Sequence, residues 1–339
     1  MRFAAVGWAA DCGVGRELTD AVANLPFVGV FAMTHAKKRN RFDLVPEAVR
    51  FISHGRELRT EMSEFLSKFR PDIVMTWEWP GSWDFPALWR TRGVRWVNVV
   101  HWDWFPAERL AELRLATLIA PNETCRHGLK HRYALDSTVL SIPLDIRGYN
   151  FRKRGRALKF GLIYGFGGPS DRRSLKEVLD AWVSLKGRPD LVVRSQEFPK
   201  EFRQTPGVTL EVVNKWHPSE LYQDLDVAVQ PSKFEGVGLS LLEAQACGVP
   251  VVTVDAEPMR TIAPDLLVGV SATFHVATMK GHQIQASSPS VHSIIEMVSM
   301  LEKTDLGRLS EKARARAEIF SWGRLKDGWM SFLSALGQG

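Results

Sequence analysis

Two carboxylates frame a glycine-rich turn in the C-terminal half of the chain. Glu235 lies in the turn and Glu243 follows with seven residues between them, in the apolar helical pattern LSLLEAQAC. Backbone N–H groups and the helix dipole make such a helix start a binding site for phosphate. We therefore expect a phosphate near Gly236, Gly238 and Leu239. The carboxylate on either side can accept hydrogen bonds from the hydroxyls of a ribose or a sugar.

The elements that must position these carboxylates form a strand–turn–helix–strand unit over residues 227–255. β-branched residues open and close the segment, and Gly248 and Pro250 end the helical pattern. This order predicts a βαβ unit with parallel strands, whose ligands bind beyond the carboxyl ends of the strands. The alternative is an ordinary buried unit with two solvated glutamates. Neither glutamate has a packing reason to lie where it does, which favours a binding role.

The segment PSKFEGVGLSLLEAQACGVPVV resembles the Glu-x7-Glu signature of retaining glycosyltransferases of family 4, and departs mainly by Val237 in place of an aromatic residue. The resemblance implies an α/β chain with the GT-B fold, in which two Rossmann-like lobes face each other across a cleft. It implies transfer of a hexose-type sugar from a nucleoside diphosphate sugar to an acceptor hydroxyl, with retained configuration. No metal or other cofactor is expected, since the sugar nucleotide is itself the donor substrate.

The length of 339 residues predicts two domains of ordinary size. The strongly basic stretch 149–160 marks the change between them. We predict an N-terminal acceptor-binding lobe over residues 1–148 and a nucleotide-sugar-binding lobe over residues 149–320. A C-terminal helix over residues 321–339, with its FSWGRL sequence, resembles the family's helix that crosses back to the first lobe.

The composition predicts a soluble globular protein, with 45% hydrophobic and 24% charged residues. The N-terminus lacks signal-peptide architecture and no apolar run reaches membrane-spanning length. Cys12, Cys125 and Cys247 are odd in number and far apart, so a reduced, cytoplasmic protein is expected. The net charge of +6 favours acidic partners.

Arg172 and Arg173 are the predicted ligands of the donor diphosphate. They lie at the start of a helical pattern that Ser170 or Asp171 could cap. The resemblance implies an Arg/Lys pair here, and this chain has Arg173-Ser174 in place of the family's lysine and glycine. Guanidinium groups suit a diphosphate because they bind its oxygens in a bidentate manner. The alternative is a surface arginine pair.

Two further donor-site residues rest on the resemblance. Gly13, with Gly15, follows the first predicted strand, where the family's glycine loop lies near the donor phosphates; the alternative is a tight turn only. Lys215 belongs to the loop 214–216, which falls where the family contacts the nucleotide base. Neither glycine turn completes a dinucleotide fingerprint, so a Rossmann dehydrogenase is not favoured.

Aromatic and charged residues follow the third and fourth predicted strands, where we expect them on one open rim. Tryptophans in such turns can stack on sugar rings or bases, or lie on a lipid surface. The resemblance places His101 in contact with the donor sugar, as a catalytic residue beside Glu235; the alternative is a core histidine. The acceptor-site candidates are Trp77, Glu78, Trp79, Trp102 and Asp103, with Lys37 and Lys38 from a basic loop.

The acceptor itself stays open at this point. A glycan or lipid-linked glycan, a lipid surface, or a hydroxylated base in DNA would each suit basic and aromatic residues. Two rival functions also remain, a sugar-nucleotide epimerase of the same fold and a non-catalytic subunit that binds sugar nucleotides. The D-x-D sequence at Asp224 and Asp226 precedes a strand. It therefore lies at the wrong end of the sheet for a metal–diphosphate site, and no other cluster suggests a metal.

Overall fold

The computed structural model describes residues 1–35, 38–55, 57–79, 81–187, 189–212, 218–279 and 281–337. Contacts divide the chain into two compact units. The first comprises Met1–Pro143, Met279–Gly281 and Trp322–Gly339, and the second comprises Leu144–Thr278 and His282–Ser321. The acceptor and donor roles given to the two lobes stay predictions.

The first unit is built on a seven-stranded sheet in which every pairing is parallel. The strand order is β3-β2-β1-β4-β5-β6-β7. Its strands are β1 (Phe3–Trp8), β2 (Phe27–Met33), β3 (Arg50–Ser53), β4 (Ile73–Trp77), β5 (Arg95–Val99), β6 (Ala116–Ala120) and β7 (Thr138–Val139).

Helices cover the sheet of the first unit, which explains the nearly continuous apolar sequence of its central strands. All but the first residue of β5 are buried, as the lack of alternation in the sequence predicted. Short 3₁₀ turns cover 42–44, 47–49, 102–104 and 107–109. The helices are α1 (Gly13–Asn24), α2 (Leu58–Phe69), α3 (Phe85–Thr91), α4 (Leu110–Leu113) and α5 (Glu123–Tyr133), with the C-terminal Trp322–Ala335 as α11.

The second unit has a six-stranded sheet, also parallel at every pairing, in the order β10-β9-β8-β11-β12-β13. Its strands are β8 (Lys159–Gly165), β9 (Asp190–Ser195), β10 (Val208–Val212), β11 (Val227–Val229), β12 (Val251–Val254) and β13 (Leu266–Val268). A separate two-stranded sheet follows, formed by β14 (Val270–Met279) and β15 (His282–Pro289).

The helices of the second unit pack on an extensive apolar core. The helix after the arginine pair buries one apolar face, on which Leu175, Val178, Leu179 and Trp182 are fully buried. Short 3₁₀ turns cover 146–148 and 218–221. The helices are α6 (Leu175–Ser184), α7 (Leu239–Ala246), α8 (Met259–Ile262), α9 (Val291–Leu301) and α10 (Gly307–Ile319).

The basic stretch 149–160 contains a buried cation. Arg154 is 1% exposed, and burial lowers its pKa to about 10. Its guanidinium donates hydrogen bonds to the carbonyls of Leu225 (2.7 Å), Tyr222 (3.2 Å) and Gln223 (3.2 Å). These bonds satisfy backbone acceptors just ahead of β11. This arginine therefore secures the loop that leads into the central strand.

Among the residues that the structure describes, no helix has both the length and the apolar character that crossing a membrane requires. The three cysteines are free thiols. Burial raises the pKa of Cys247 to about 11 and also raises the pKa of Cys12 and Cys125 above their ordinary value.

Candidate functional site

The start of α7 lies beyond the carboxyl end of β11, as the βαβ pattern predicted. β11 and β12 pair in parallel, with Ala228 opposite Val251 and Val229 opposite Val252. Gly238 is the N-cap of α7 and has a φ of 75°, and a Cβ there would lie 2.7 Å from Ile262 Cδ1. Both the left-handed backbone and the close approach require glycine. The first N–H groups of the helix are thereby presented beside the turn.

Glu235 accepts charge-assisted hydrogen bonds from both predicted diphosphate ligands. Its carboxylate lies 3.3 Å from Arg172 Nη1 and also bonds Arg173 Nη1. Arg173 in addition donates to the hydroxyls of Ser232 (3.0 Å) and Ser240 (3.2 Å). The structure therefore brings together, within one unit, three residues that sequence reasoning had selected from segments more than sixty positions apart. The Glu235 carboxylate thus bridges the two guanidinium groups.

The loop that presents the arginine pair has a strained backbone. Six of its residues between Gly165 and Ser174 have positive φ values. Three of them are not glycine: Ser170 (57°), Asp171 (50°) and Ser174 (55°). A left-handed conformation costs such residues about 1–2 kcal/mol each. Strain of this kind persists only where surrounding contacts hold it, and it is concentrated at functional sites.

Several side chains hold this loop. The Ser174 hydroxyl donates to the carbonyl of Pro231 (2.7 Å), which joins the loop to the segment ahead of Glu235. The Asp171 carboxylate accepts from the N–H groups of Leu175 (3.0 Å) and Lys176 (2.9 Å). Of the two predicted caps of α6, Asp171 therefore satisfies the free N–H groups. Ser174 itself occupies the N-cap position.

Glu243, the second carboxylate of the motif, lies on the first turns of α7 and is 4% exposed. It accepts a hydrogen bond of 2.9 Å from the hydroxyl of Tyr222, which is fully buried. The bond fixes the orientation of the carboxylate. Its predicted role as the ribose ligand stays a prediction. Tyr222 was not identified from the sequence, because nothing in HPSELYQDLD links it to a helix that begins 17 residues later.

In the first unit, His101 lies between two carboxylates. Its Nε2 is 2.8 Å from Glu17 Oε2 and its Nδ1 is 2.6 Å from Glu78 Oε1. Burial lowers the pKa of His101, but the charges of Glu17 and Glu78 and their hydrogen bonds outweigh it. The pKa therefore lies well above its ordinary value. Burial also raises the pKa of Glu17. The ring is an imidazolium that donates from both nitrogens.

Backbone and side-chain contacts hold Glu78 against this ring. Glu78 has a φ of 59°, and its N–H donates to the carbonyl of Val99 (2.9 Å). The Asn98 side chain reaches the Glu78 carbonyl (3.4 Å) and accepts from the Thr76 hydroxyl (2.9 Å). This buried network joins β4 to β5. Glu78, an acceptor candidate by sequence, is therefore a partner of the candidate catalytic histidine.

Glu17→Gln should lower the pH at which His101 titrates. The substitution removes the carboxylate charge that raises the pKa of His101 most. Burial, which favours the neutral imidazole, then lowers that pKa with less opposition. The measurement is an NMR titration of the histidine ring protons, with the His101 signals assigned by comparison with His101→Gln. Glu296→Gln removes an exposed carboxylate beside His292 and is the control, because it should leave the His101 titration unchanged. An unshifted His101 in Glu17→Gln contradicts the assignment.

The glycine turn after the first strand is part of a helix. α1 begins at Gly13, three residues before the predicted start at Arg16. A Cβ on Gly15 would lie 2.1 Å from the Ala10 carbonyl oxygen, so the close approach of backbone to backbone requires glycine here. Gly13 is exposed at the first position of α1. Its proposed contact with the donor phosphates stays a prediction.

The basic loop after β2 packs beside the residues that follow β1. The Arg41 N–H donates to the Ala9 carbonyl (2.6 Å), and Asp11 N–H donates to the Arg39 carbonyl (2.9 Å). Arg41 also forms ion pairs of 3.1 Å with both Asp11 and Asp43. Lys38 is half-buried, and Lys37 lies outside the described residues. Part of the predicted positive charge is therefore neutralised within the unit.

The predicted open rim of aromatic and charged residues is wrong for two of its members. Trp77 is 3% exposed and Asp103 5%, and the neighbouring Phe105 is 1% exposed. Trp77 is the last residue of β4, whose five residues are all buried, and Phe105 lies in the apolar core. Trp79 stacks on Trp8 with ring centroids 5.2 Å apart.

Trp102 also packs inward, because its ring lies against Gly128 of α5, where a Cβ would approach to 2.3 Å. It is only partly buried, as is Trp79. Trp79 and Trp102 therefore keep a surface that an acceptor can contact, whereas Trp77 does not. Trp104 of the same turn is 36% exposed. The acceptor roles of these residues stay predictions.

The rejected D-x-D pair has a structural role. Asp224 forms an ion pair of 2.8 Å with Arg194. Burial raises the pKa of Asp224, but its bonds to Arg194 and Lys159 bring it below the usual range. Asp226 accepts from the N–H groups of Leu158 (3.1 Å) and Lys159 (3.0 Å). Within the described part of the chain, no group of His, Cys, Asp and Glu side chains could hold a metal ion. Lys215 lies outside that part.

Sequence reasoning missed Glu17 and Lys233. Glu17 lies in a helix whose neighbours Leu18, Ala21 and Val22 are buried, and a lone acid on such a face is the signal that could have found it. Lys233 was read only as part of the motif, yet it is 6% exposed. Its neighbours Ser232 and Phe234 give no comparable signal.

Comparison with known proteins extends this picture. Residues 209–279 match the family model described as "Glycosyl transferases group 1". The D-inositol 3-phosphate glycosyltransferase of Geodermatophilus obscurus is 36% identical over 117 residues, which are 34% of this chain and 23% of that protein. The protein of the same description from Rhodococcus erythropolis is 26% identical over 146 residues, or 42% of this chain and 29% of that one. The chain thus matches less than a third of the length of either relative.

Two solved structures match almost the whole chain. The sucrose-phosphate synthase from Thermosynechococcus elongatus has a TM-score of 0.71 at 14% identity, and the match covers 100% of this chain and 99% of that one. HepE from Anabaena, solved in complex with UDP and glucose, has a TM-score of 0.73 at 13% identity and covers 99% and 100%. At these identities the likeness establishes the fold.

Proposed function

We propose that the chain is a retaining glycosyltransferase, because it belongs to the group 1 glycosyltransferases and has the GT-B fold. It transfers a hexose-type sugar from a nucleoside diphosphate sugar to an acceptor hydroxyl. Family and fold are those that the resemblance of residues 231–252 implied. The observation that carries the proposal is the convergence of Arg172, Arg173 and Glu235 ahead of the first turn of α7.

The donor diphosphate is proposed to bind at this convergence. Its negative charge grows as the sugar leaves, and preorganised donors lower the free energy of that state. Arg172 and Arg173 supply guanidinium donors, and the N–H groups at the start of α7 supply backbone donors.

The carboxylates are proposed to hold the two ends of the donor. Glu243, fixed by Tyr222, would accept from the ribose hydroxyls, and Glu235 would accept from the hydroxyls of the transferred sugar. His101 keeps the role on the sugar that the resemblance implies, as an imidazolium held by Glu17 and Glu78. Because the two carboxylates take both ring N–H groups, the ring would donate to a sugar hydroxyl only where that hydroxyl replaces one of them.

The Glu235 carboxylate accepts hydrogen bonds from the two guanidinium groups that are proposed to bind the diphosphate. An arriving diphosphate would compete for the same guanidinium groups and release the carboxylate towards the sugar. Binding of the diphosphate, which is the leaving group, would thus position the Glu235 carboxylate at the transferred sugar. This order makes nucleotide affinity and turnover respond differently to changes at Glu235.

The proposal is tested by incubating the protein with UDP-glucose and a panel of other sugar nucleotides, with and without glycan, lipid-linked glycan and hydroxymethylated DNA acceptors. HepE was solved with UDP and with UDP-glucose, which makes this donor the first to test. Release of nucleoside diphosphate that depends on one acceptor supports the proposal and identifies that acceptor. Interconversion of the donor without acceptor would instead indicate an epimerase, and binding without any turnover a non-catalytic subunit.

A further inference from the structure

Lys233 is a buried cation inside the Glu-x7-Glu segment, two residues before Glu235. It is 6% exposed. Its ammonium lies 2.9 Å from Glu177 Oε1 and 3.8 Å from Asp171 Oδ2, and it donates to the carbonyl of Ser170 (3.3 Å). A buried ammonium with these partners joins the motif to the strained loop and to α6.

The backbone of Lys233 makes the same connection. Its N–H donates to the carbonyl of Arg172 (2.8 Å), and its carbonyl accepts from the N–H of Ser287 (2.8 Å). Ser287 belongs to β15. One residue therefore contacts the loop that carries the arginines, α6 and the two-stranded sheet.

Most contacts of the Lys233 side chain lie on one side of the arginine pair. Ser170 and Asp171 directly precede Arg172, and both have left-handed backbones. Because the ammonium contacts this strained portion, it opposes relaxation of the loop towards ordinary backbone conformations. Relaxation would swing the guanidinium groups away from Glu235 and the start of α7.

Resting on the proposed function, we propose that Lys233 is a positioning residue for Arg172 and Arg173. It holds the loop 170–173 in the conformation that binds the donor diphosphate, and it does not itself contact the donor.

The charges around Lys233 agree with this role. Burial raises the pKa of Asp171 to about 6, although Lys233 and two backbone N–H groups lower it. Without the ammonium, Asp171 would lose a charge that lowers its pKa, and its protonated form would be favoured. The loop would then lose its contacts with the Lys233 side chain and the charge of the Asp171 carboxylate, which caps α6.

The test compares the affinity of wild type and Lys233→Met for UDP, and for GDP if the wild type binds it more tightly. Isothermal titration calorimetry and thermal unfolding are measured on the full chain. We expect the dissociation constant to rise tenfold or more in Lys233→Met. The matched control is Arg194→Met, which removes another buried cation of the same unit that bonds two carboxylates, Glu211 and Asp224. It should lower the unfolding temperature comparably and change the dissociation constant less than twofold.

Two results overturn the inference. One is a Lys233→Met protein whose affinity stays within twofold of wild type, and the other is an equal loss of affinity in Arg194→Met, which would indicate general destabilisation. Where Lys233→Met does not fold, Glu177→Gln replaces it, because it removes the 2.9 Å ion pair and leaves the ammonium in place. Its dissociation constant should rise at least threefold, and an unchanged value overturns the inference.

A double-mutant cycle adds a readout that a remote structural effect would not produce. If Lys233 acts through Glu177, Lys233→Met with Glu177→Gln should weaken UDP binding no more than Lys233→Met alone. Additive losses would contradict that route. A wild-type protein that binds none of the nucleoside diphosphates would instead overturn the proposed function, so the two failures are distinguishable.

Discussion

Glu235→Gln is expected to lower the turnover of the sugar donor by about 100-fold to 1,000-fold, as loss of a preorganised charge contact to a transition state does. The neutral amide can still accept a hydrogen bond from a sugar hydroxyl but cannot stabilise positive charge on the sugar ring. Affinity for UDP should be equal to that of wild type or tighter. The reason is that Glu235 is the anion that occupies Arg172 and Arg173 before the diphosphate arrives.

The measurements are initial rates of nucleoside diphosphate release and calorimetric titration with UDP. Glu211→Gln is the matched control, since Glu211 is also a carboxylate bonded to a buried arginine of the second unit (Arg194, 2.8 Å). It should leave both quantities nearly unchanged. Full turnover in Glu235→Gln would remove the catalytic role. A fivefold or greater loss of UDP affinity would mean that Glu235 builds the diphosphate site and does not compete for it.

Replacement of both arginines, Arg172→Ala with Arg173→Ala, is expected to raise the dissociation constant for UDP by about 100-fold or more. A hydrogen bond to a charged group contributes about 1.5–3 kcal/mol, and each 1.4 kcal/mol corresponds to a factor of ten. The loss has a second source. Glu235, 6% exposed, would remain in the site without these two cations, so the diphosphate would have to bind beside an uncompensated carboxyl group.

This second source can be measured separately. Addition of Glu235→Gln to the double arginine variant should restore part of the lost affinity, because it removes the uncompensated carboxyl group. Arg203→Ala is the control for loss of a cation, since Arg203 is an exposed arginine of the same unit that pairs with Asp180. It should bind UDP as the wild type does. If the double variant keeps the wild-type dissociation constant, the arginine pair is not the diphosphate site.

The elements of the fold could be predicted where their signals are local. The βαβ unit around α7 follows from β-branched runs, glycines and a proline within 29 successive residues. Asn122 is a residue type that commonly caps helices, and its side chain accepts from the Cys125 N–H (2.9 Å). The strand β3 was not predicted, because its three half-buried residues and one buried residue carry no clear period. β14 was missed as well, since nearly all of its residues are exposed or partly exposed.

The candidate site was predictable in its residue types and not in its contacts. Motif reasoning placed Glu235, Glu243 and the arginine pair in one donor site, but it assigned the arginines to the diphosphate alone. The ion pairs with Glu235 depend on how β8, β11 and the strained loop pack together. The error at Trp77 has the same origin, because a position at the end of a strand does not reveal whether tertiary packing buries its side chain.

By itself, the sequence determined a helix that begins after a glycine-rich turn, with one carboxylate in the turn and another in the helix, because turn residues and helical periodicity act over a few neighbouring positions. Only the tertiary structure decided that Glu17 and Glu78 bond His101 at both ring nitrogens, and that Lys233 contacts the loop that carries the arginine pair. His101 and Glu17 are 84 positions apart. No local pattern encodes such a contact, because it arises from the order of strands in the sheet and the packing of helices on it.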